Sequence, residues 1–283
     1  MSLLGATACS GEQPAEGIAE VQEALTTVYQ AEAAADIDEG VVETQHAGFT
    51  GTGYVNINNF SNTFMLHIVN APAAGAATLK VRYANGTGSN RPIDVIVNGS
   101  TAGTVSGAPT GAWTTWVTSP AISINLLAGN NDIVHSSVVS DGMPNLDRFE
   151  IAQTFTQQVQ AEAATDIDEG VVETVHAGFT GTGYVNINNF SNTFMLHVFN
   201  SPVTATASLR VRYANGTSSN RPIAITVNGV TAGTVNGAPT GAWTTWVSSP
   251  AVSVNLVAGN NDIVHSSVVS DGMPNIDRFD LTF

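Results

Sequence analysis

Residues 79–99 read LKVRYANGTGSNRPIDVIVNG, and the pattern of this stretch decides the fold class. Apolar and polar side chains largely alternate at the start of the stretch and again just before Asn98-Gly99, which is the period of a half-buried β-strand. The segment between these runs is rich in Gly, Asn and Ser, which favour turns. Asn98-Gly99 predicts a two-residue hairpin turn, because both positions need a positive φ. Asn85-Gly86 and Asn228-Gly229 predict turns of the same kind.

The stretch belongs to an internal repeat with a constant offset of 130 residues. It returns at 209–229 as LRVRYANGTSSNRPIAITVNG, and Gln30-Ala31-Glu32 returns as Gln160-Ala161-Glu162. Each copy is about 120 residues long, which is enough for a hydrophobic core of its own. The 283 residues are therefore expected to divide into a leader at 1–27, a first module at 28–152, a short linker at 153–157 and a second module at 158–283.

Inside one copy, the periodicity is that of β-strands, and no stretch shows sustained helical periodicity. Short strand-like runs such as 63–69 and 93–97 are separated by Gly, Asn, Pro and Ser. At this spacing we expect about nine to eleven strands in each copy. The predicted fold class is all-β, with two tandem β-sandwich domains of the jelly-roll type.

The composition excludes several classes of protein. Hydrophobic residues make up 43% of the chain, which is ample for a core and argues against an intrinsically disordered polyelectrolyte. The chain has 23 Asp and Glu but only 8 Lys and Arg, a formal net charge of -15, whereas a nucleic-acid-binding surface is basic. No run of about 18 apolar residues is present, so no transmembrane segment is predicted.

The single cysteine, Cys9, excludes a disulfide within the chain. It follows a short apolar segment, which leaves two interpretations of residues 1–27. In one, a signal peptidase cleaves before Cys9 and the thiol carries a lipid anchor. In the other, the segment is a solvated leader, since no Lys or Arg precedes it as in a secretory signal. We expect a secreted or extracellular protein, with or without anchoring to the cell surface.

Three oxygen-bearing side chains are candidates for a cation site in each copy. Gln30 and Glu32 are two residues apart in the predicted opening strand, so their side chains share one face. Asp147 lies in the predicted last strand, which is often the neighbour of the first strand in a sandwich. Oxygen ligands alone suit a hard cation such as calcium. The alternative is that Glu32 and Asp147 accept hydrogen bonds from loop amides.

The aromatic candidates are Trp113 and Trp116. Three residues apart in a predicted strand, they would face opposite sides, so that one indole fills the core and the other is exposed. An exposed aromatic face stacks on the C–H face of a sugar ring. The alternative is that both indoles are in the core. His46, His67 and His135 show no metal-ligand spacing, and we interpret them as structural.

Seven motifs follow one another along the first copy: QAE at 30–32, GFTGTGYV at 48–55, RYANG at 82–86, NRP at 90–92, VNG at 97–99, GAWTTW at 111–116 and PNLD at 144–147. This ordered series resembles carbohydrate-binding module family 35 and its relative, family 6. The resemblance covers each copy nearly from end to end.

The resemblance implies a β-jelly roll with a structural calcium ion. In similar modules the opening Gln/Glu pair, the Asp of the closing Asn-x-Asp motif and a loop carbonyl hold the ion. By this resemblance the loop carbonyl comes from residues 46–53. The calcium ligands are Gln30, Glu32 and Asp147 in the first copy, and Gln160, Glu162 and Asp277 in the second.

The resemblance also implies a sugar site in the loops at one end of each sandwich. In similar modules two aromatic residues and an Asn form this site. If the ligand is a uronic acid, we expect an Arg of this chain to pair with its carboxylate. The residues at these positions are Tyr54, Arg91, Trp113 and Asn145 in the first copy, and Tyr184, Arg221, Trp243 and Asn275 in the second. The sequence leaves open whether the sugar is of the uronic acid, galactose or mannose type.

The leading hypothesis is a non-catalytic protein whose two modules bind a polysaccharide or another glycan, with calcium stabilising each sandwich. A glycosidase would need two carboxylates flanking one scissile bond. Asp141 and Asp147 lie near the expected site, but the resemblance assigns Asp147 to calcium. A structural or adhesive protein that self-associates through its sheet faces is the third hypothesis.

Overall fold

The computed structural model describes residues 24–57, 60–187 and 190–283. Within these residues the protein is all-β, contains no α-helix and forms four sheets. Two sheets from each repeat enclose one core cluster, so each repeat is a β-sandwich. The predicted fold class is confirmed. Residues 1–23, including Cys9, lie outside the described part of the chain, so both interpretations of the leader remain predictions.

The described residues of the first module contain twelve strands, slightly above the expected number, and one short 3₁₀ turn at Ala31–Ala33. The strands are β1 (Leu25–Gln30), β2 (Asp36–Ile37), β3 (Gly40–Glu43), β4 (Tyr54–Ile57), β5 (Phe64–Ala71), β6 (Gly75–Ala84), β7 (Ile93–Val97), β8 (Ser100–Val105), β9 (Val117–Thr118), β10 (Ile122–Leu126), β11 (Gly129–Ser137) and β12 (Asn145–Gln153).

The second module repeats this order, with its 3₁₀ turn at Ala161–Ala163. Its strands are β13 (Thr156–Gln160), β14 (Asp166–Ile167), β15 (Gly170–Glu173), β16 (Tyr184–Ile187), β17 (Phe194–Ser201), β18 (Ala205–Ala214), β19 (Ile223–Val227), β20 (Val230–Val235), β21 (Val247–Ser248), β22 (Val252–Leu256), β23 (Gly259–Ser267) and β24 (Asn275–Thr282).

Strand β12 is the centre of the larger sheet in the first module. The order of that sheet is β10-β6-β12-β4-β3, with β1 also pairing with β12 and β9 with β6. The facing sheet has the order β2-β5-β11-β7-β8. The first and last strands pair antiparallel, with Gln30 opposite Arg148. The predicted neighbourhood of these two strands is therefore confirmed.

The Asn-Gly turns show how far local sequence determines the backbone. Asn98 and Gly99 have φ angles of 50° and 80°, and they join β7 to β8 as the predicted hairpin. Asn228-Gly229 does the same in the second module. The hairpin prediction for Asn85-Gly86 is wrong, because Asn85 is fully buried and its amide donates to the carbonyl oxygens of Ser89 and Gly107. These tertiary hydrogen bonds hold residues 85–92 in an open loop.

The core follows the alternation seen in the sequence. Strand β7 buries Ile93, Val95 and Val97 and leaves Asp94 and Ile96 half-buried. Burying one such aliphatic side chain contributes roughly 1.5–3 kcal/mol. Two core clusters result, one in each module.

The modules are joined by a short connection that is itself part of a core. Strand β12 ends at Gln153, and β13 begins at Thr156. Phe155, between them, is buried and stacks on Phe283, with ring centroids 4.7 Å apart. Leu25 and Ala73 of the first module pack against the core cluster that contains these two rings. This packing restricts the freedom of the connection.

Each core also encloses a histidine pair that the sequence suggested only as structural. His135 on β11 is 0% exposed, and neither of its ring nitrogens has a hydrogen-bond partner within the described residues. Burial, with a smaller contribution from the charge of His67, lowers the pKa of His135 to about 3. His265 and His197 repeat this arrangement. The folded protein therefore holds His135 and His265 neutral under conditions in which the unfolded chain protonates them.

This difference predicts that acid destabilises the fold. Between pH 6.5 and about 3 the unfolded state binds protons that the folded state excludes, so the free energy of unfolding falls as the pH decreases, by about 2 kcal/mol per histidine at pH 5. In the double variant His135→Leu and His265→Leu, we expect this part of the pH dependence to disappear. Urea denaturation at pH 7.5 and pH 5 measures it. An equal decrease in stability for the variant and the natural chain would contradict the assignment.

Candidate functional site

Two groups of side chains meet at one end of each sandwich, and both contact the loop between β3 and β4. We call this loop, residues 44–53, the bridging loop. The acidic cluster comprises Gln30, Glu32 and Asp147. The aromatic cluster comprises His46, Tyr54, Trp113 and Trp116. The structure brings together the three side chains that the sequence grouped as candidates for a cation site, whereas the sequence treated His46 only as structural.

Asp147 is the most enclosed member of the acidic cluster. The pairing of β12 with β6 shifts register between Leu146 and Arg148, so Asp147 is the extra residue of a β-bulge. Its side chain is 0% exposed and forms an ion pair with Arg82 through Oδ2. Its Oδ1 accepts a hydrogen bond of 2.6 Å from the backbone N–H of Thr50. The bulge thus fixes a buried carboxylate against the bridging loop.

Gln30 and Glu32 reach the same loop by a route that differs from the prediction. Gln30 ends β1, but Glu32 lies in the 3₁₀ turn rather than in the same strand. Gln30 Oε1 accepts a 3.0 Å hydrogen bond from Thr50 Oγ1, and Glu32 Oε1 accepts a 2.7 Å bond from the backbone N–H of Thr52. The turn, rather than strand alternation, brings these two side chains together.

Gly51 permits this close approach. Its φ is 70°, and a Cβ atom at this position would lie 2.1 Å from Glu32 Oε1 and 3.0 Å from Gln30 Oε1. The loop backbone therefore enters the acidic cluster only because residue 51 has no side chain.

The contacts of the acidic cluster are those of the alternative to a metal, and the calcium interpretation stays a prediction. Glu32 and Asp147 accept hydrogen bonds from loop amides, as in the alternative to a metal. Within the described residues, no group of three or more His, Cys, Asp or Glu side chains could hold a metal ion. Glu32 Oε2 is nevertheless buried without a hydrogen-bond partner, and so is Glu162 Oε2. A buried, unsatisfied carboxylate oxygen beside further oxygen donors fits a hard cation.

The two tryptophans lie in the loop 106–116 that precedes β9 and not in a strand, so the prediction that a strand turns them to opposite faces is wrong. Both indoles are half-buried, so neither is a simple core residue. Trp116 points towards the bridging loop, because its Nε1 donates a 3.0 Å hydrogen bond to the carbonyl oxygen of Ala47. Its ring also packs against Tyr54, with centroids 5.3 Å apart.

The indole of Trp113 rests against the backbone of Gly86. A Cβ atom at Gly86 would lie 2.5 Å from Trp113 Cδ1, so no other residue leaves room for the ring in this position. The guanidinium carbon of Arg91 lies 5.5 Å from the centre of the indole, and the His46 ring is nearly parallel to it at 6.1 Å. Trp113 is therefore held by a glycine, a cation and an imidazole.

Tyr54 is the fully buried member of the aromatic cluster. It is 0% exposed, and its hydroxyl donates a 2.9 Å hydrogen bond to Glu43 Oε2. Burial, the hydrogen bond to Glu43 and the charge of Glu43 raise the pKa of Tyr54 to about 12. Tyr184 is buried in the same way. Both tyrosines were predicted as sugar contacts, but neither presents a face to solvent.

Arg91 and Asn145 occupy the predicted end of the sandwich. Arg91 is 7% exposed and donates a 3.1 Å hydrogen bond to the carbonyl oxygen of Met143. Burial lowers the pKa of Arg91, and the charge of Asp141 opposes that effect. Asn145 is 3% exposed and is the first residue of β12. Its amide is a candidate donor and acceptor for a ligand.

His46 is the residue that sequence reasoning missed. Its half-buried ring lies between those of Tyr54 and Trp113, with centroids 5.9 Å and 6.1 Å away. The sequence contained a weak signal for this role, because His46 lies two residues before Gly48, the first residue of the GFTGTGYV motif. Without the contact to Trp113, which is 67 residues further along the chain, that signal had no meaning.

The second module reproduces this geometry. Thr180 and Thr182 contact the counterparts of the acidic cluster with hydrogen bonds of 2.6 Å each from their backbone N–H groups. The ring centroids of His176 and Trp243 are 6.0 Å apart. Arg221 lies 5.5 Å from the Trp243 ring. The chain thus presents the same pair of clusters twice.

Comparison with known proteins agrees with this arrangement. The family described as carbohydrate binding module (family 6) matches residues 30–153 and 160–282. The chain belongs to this family. It consists of two such modules in tandem, as the resemblance in the sequence had implied, and their shared ligand class is carbohydrate.

The curated relatives are larger proteins. Endo-1,4-beta-xylanase B of Cellvibrio japonicus is 39% identical over 115 residues, which are 40% of this chain and 19% of that protein. Exo-beta-D-glucosaminidase of Amycolatopsis orientalis is 43% identical over 122 residues, which are 43% of this chain and 12% of that protein. The chain therefore spans a fifth or less of the length of these two enzymes.

Among solved structures, a family 35 carbohydrate binding module from Clostridium thermocellum is 43% identical, with a TM-score of 0.43. The match covers 45% of this chain and 98% of that one.

The described residues contain no helix that is long and apolar enough to span a membrane.

The contact between Gly86 and Trp113 generates a direct prediction. In the double variant Gly86→Ala and Gly216→Ala, the added methyl group must displace Trp113 and Trp243, because it would lie 2.5 Å from each indole. We expect a changed tryptophan emission spectrum and stronger quenching by acrylamide.

Gly88→Ala is the matched control for this variant. A Cβ at Gly88 meets nothing within 4 Å, and the second module carries Ser218 at the corresponding position. Unchanged emission in the Gly86→Ala and Gly216→Ala variant, or an equal change in the control, would contradict the packing described for the indoles.

Proposed function

We propose that the chain is a non-catalytic, secreted protein that binds a glycan through the aromatic cluster of each module, with calcium bound at each acidic cluster. The half-buried indole of Trp113, held between Gly86, Arg91 and His46, carries the glycan part of the proposal. A rigid, partly exposed aromatic ring presents an apolar face to the C–H groups of a pyranose.

Polar groups beside the indole support sugar recognition. Arg91 connects Trp113 to the segment that leads into β12, through its hydrogen bond to the Met143 carbonyl. Asn145, two residues further on, has an amide that can both donate to and accept from hydroxyl groups. The guanidinium suits the carboxylate of a uronic acid, and the amide suits neutral galactose- or mannose-type sugars, so the proposal includes both classes.

The enclosure of Asp147 at the same end of the sandwich argues against hydrolysis of a glycan. A glycosidase places two carboxylates on either side of the scissile bond, about 5–9.5 Å apart. Asp147, one of the two candidates, is 0% exposed and forms an ion pair with Arg82. A carboxylate held in this way has no access to a substrate, which supports a binding role without catalysis.

Two sites on one chain favour a polymeric ligand. A shallow site that stacks on one sugar binds weakly, because few contacts lose their water. When one module is bound, the short connection keeps the second module at a high effective concentration near the same polysaccharide. The matched relatives include a xylanase by name, which supports a polysaccharide ligand for these modules.

The calcium part of the proposal rests on the acidic cluster. Gln30, Glu32 and Asp147 would hold the ion, which would neutralise the buried carboxylates and join β1, β12 and the bridging loop. Gln160, Glu162 and Asp277 would do so in the second module. The buried, unpartnered Oε2 atoms of Glu32 and Glu162 support this assignment.

The glycan site is tested by the double variant Trp113→Ala and Trp243→Ala. We expect retention on insoluble xylan, or on the best ligand of a glycan array, to be abolished, because each module loses its stacking surface. Each single variant should retain weakened binding, since one site loses the benefit of the other. The matched control is Phe60→Ala with Phe190→Ala, which removes two aromatic rings that are each 59% exposed. Undiminished retention of the tryptophan double variant would overturn the site.

The calcium site is tested by thermal unfolding with calcium and with a chelator. At a calcium concentration a hundredfold above Kd, binding adds about 2.7 kcal/mol to each module, which raises Tm by roughly 10 °C. Glu32→Gln with Glu162→Gln should lose this increase, whereas Glu39→Gln with Glu169→Gln, an equal change of charge on exposed side chains, should keep it. A Tm independent of calcium in the natural chain would refute the metal assignment.

A further inference from the structure

The bridging loop contacts both clusters within the seven residues 46–52. On one side, Thr50 and Thr52 donate hydrogen bonds to Asp147 and Glu32. On the other side, Ala47 accepts the indole hydrogen bond of Trp116. His46, at the start of the same segment, lies beside Trp113. A change in the position of this loop therefore changes both clusters at once.

Arg82 lies at the junction of the two clusters. One nitrogen of its guanidinium, Nη1, forms the ion pair with Asp147 Oδ2, and the other, Nη2, donates a 3.0 Å hydrogen bond to the carbonyl oxygen of Gly48 in the bridging loop. Its central carbon lies 5.6 Å from the centre of the Trp116 ring. One side chain thus joins the acidic cluster, the loop backbone and an aromatic ring.

The second module contains the same junction. Arg212 forms an ion pair with Asp277, donates a 3.0 Å hydrogen bond to the Gly178 carbonyl and lies 5.6 Å from the Trp246 ring. Arg278 Nη1 also lies 3.6 Å from Asp277 Oδ2.

We propose that Arg82 and Arg212 are positioning residues that couple cation binding at the acidic cluster to the arrangement of the aromatic cluster. The inference rests on the proposed function, because it requires calcium at Asp147 and a glycan at Trp113. Arg82 is the cation that neutralises Asp147 in the structure. A second cation at the same carboxylate weakens that ion pair, and the guanidinium shifts relative to Trp116 and Gly48.

The coupling has a defined thermodynamic consequence. If calcium orders the bridging loop, a glycan that needs the ordered loop binds more tightly, and by linkage the glycan raises the affinity for calcium by the same factor. Couplings of this kind typically change affinity by about 5-fold to 150-fold. We expect the calcium effect on glycan affinity to fall in this range in the natural chain.

The four tryptophans allow the coupling to be observed without any glycan. All of them lie in the two aromatic clusters, as Trp113, Trp116, Trp243 and Trp246. Tryptophan emission therefore reports only on this part of each module. Calcium binding itself is measured independently by the heat it releases or absorbs.

The experiment titrates calcium into the full chain and records both the heat and the tryptophan emission. In the natural chain we expect emission to change in step with calcium binding. In the variant Arg82→Lys with Arg212→Lys, the charge remains but one ammonium cannot reach both the carboxylate and the loop carbonyl. We expect this variant to bind calcium while the emission change is largely lost.

Arg210→Lys with Lys80→Arg is the matched control. It exchanges Arg for Lys in the second module and Lys for Arg in the first, on the same strands and two residues from the junction. It should leave the response unchanged. A second variant, Trp116→Phe with Trp246→Phe, removes the hydrogen bond to the Ala47 and Ala177 carbonyls and leaves the ion pairs intact. We expect calcium binding without a response from Trp113 and Trp243. This variant keeps the test valid if the Lys variant does not fold.

Each outcome separates the coupling from the proposed function. Calcium heat without an emission change in the natural chain overturns the coupling and leaves the calcium site standing. No calcium heat overturns both. An emission change that survives in both variants also overturns the coupling.

Finally, the affinity for a glucuronoxylan-coated or galactomannan-coated surface is measured with calcium and with a chelator. If the natural chain binds either surface equally in both conditions, the coupling is refuted while glycan binding stands.

Discussion

The buried carboxylate of Asp147, with Asp277 as its counterpart in the second module, is the constraint on which the loop end of each module depends. A charge removed from water is costly unless it is paired and hydrogen-bonded. Asp147 meets this requirement with Arg82 from β6 and with the backbone and hydroxyl of Thr50 from the bridging loop. The central strand, its neighbour and the loop are therefore tied together at one point. The β-bulge makes this possible, because it turns the side chain of an extra residue towards the loop.

Glycine determines how closely the surrounding loops approach one another. Gly86 gives the indole of Trp113 a flat backbone surface, and Gly51 lets the bridging loop enter the acidic cluster. Gly107, with a φ of 52°, brings the loop before the tryptophans within reach of Arg91, where a Cβ would lie 1.9 Å from the carbonyl oxygen. The aromatic rings and carboxylates of this region fit together because these glycines, which have no side chain, leave space for them.

The two modules carry the same residues in the acidic and aromatic clusters and differ next to the connection between them. Positions occupied by Leu25, Val69 and Gln153 in the first module carry Phe155, Phe199 and Phe283 in the second. All three phenylalanines belong to the core cluster of the second module, and the rings of Phe155 and Phe283 are stacked. The repeat has therefore changed its packing next to the connection while the geometry of the clusters has stayed the same. The chain therefore carries two equivalent pairs of clusters.

The sequence by itself determined the all-β class, the duplication, the hairpins at Asn98-Gly99 and Asn228-Gly229, and the family. Each of these depends on local periodicity, on turn residues that need a positive φ, or on an ordered series of motifs. It also named Gln30, Glu32 and Asp147 as a group, because the first and last strands of a sandwich are neighbours.

Only the tertiary structure decided the rest. The hydrogen bonds of Asn85 across two loops replaced a local hairpin, and a loop rather than a strand set the directions of Trp113 and Trp116. Three further features depend on contacts between segments that are distant in sequence. These are the burial of Tyr54, the position of His46 beside Trp113 and the three contacts of Arg82. Such contacts depend on which loops meet at the end of the sandwich, and the periodicity of a strand carries no information about that meeting.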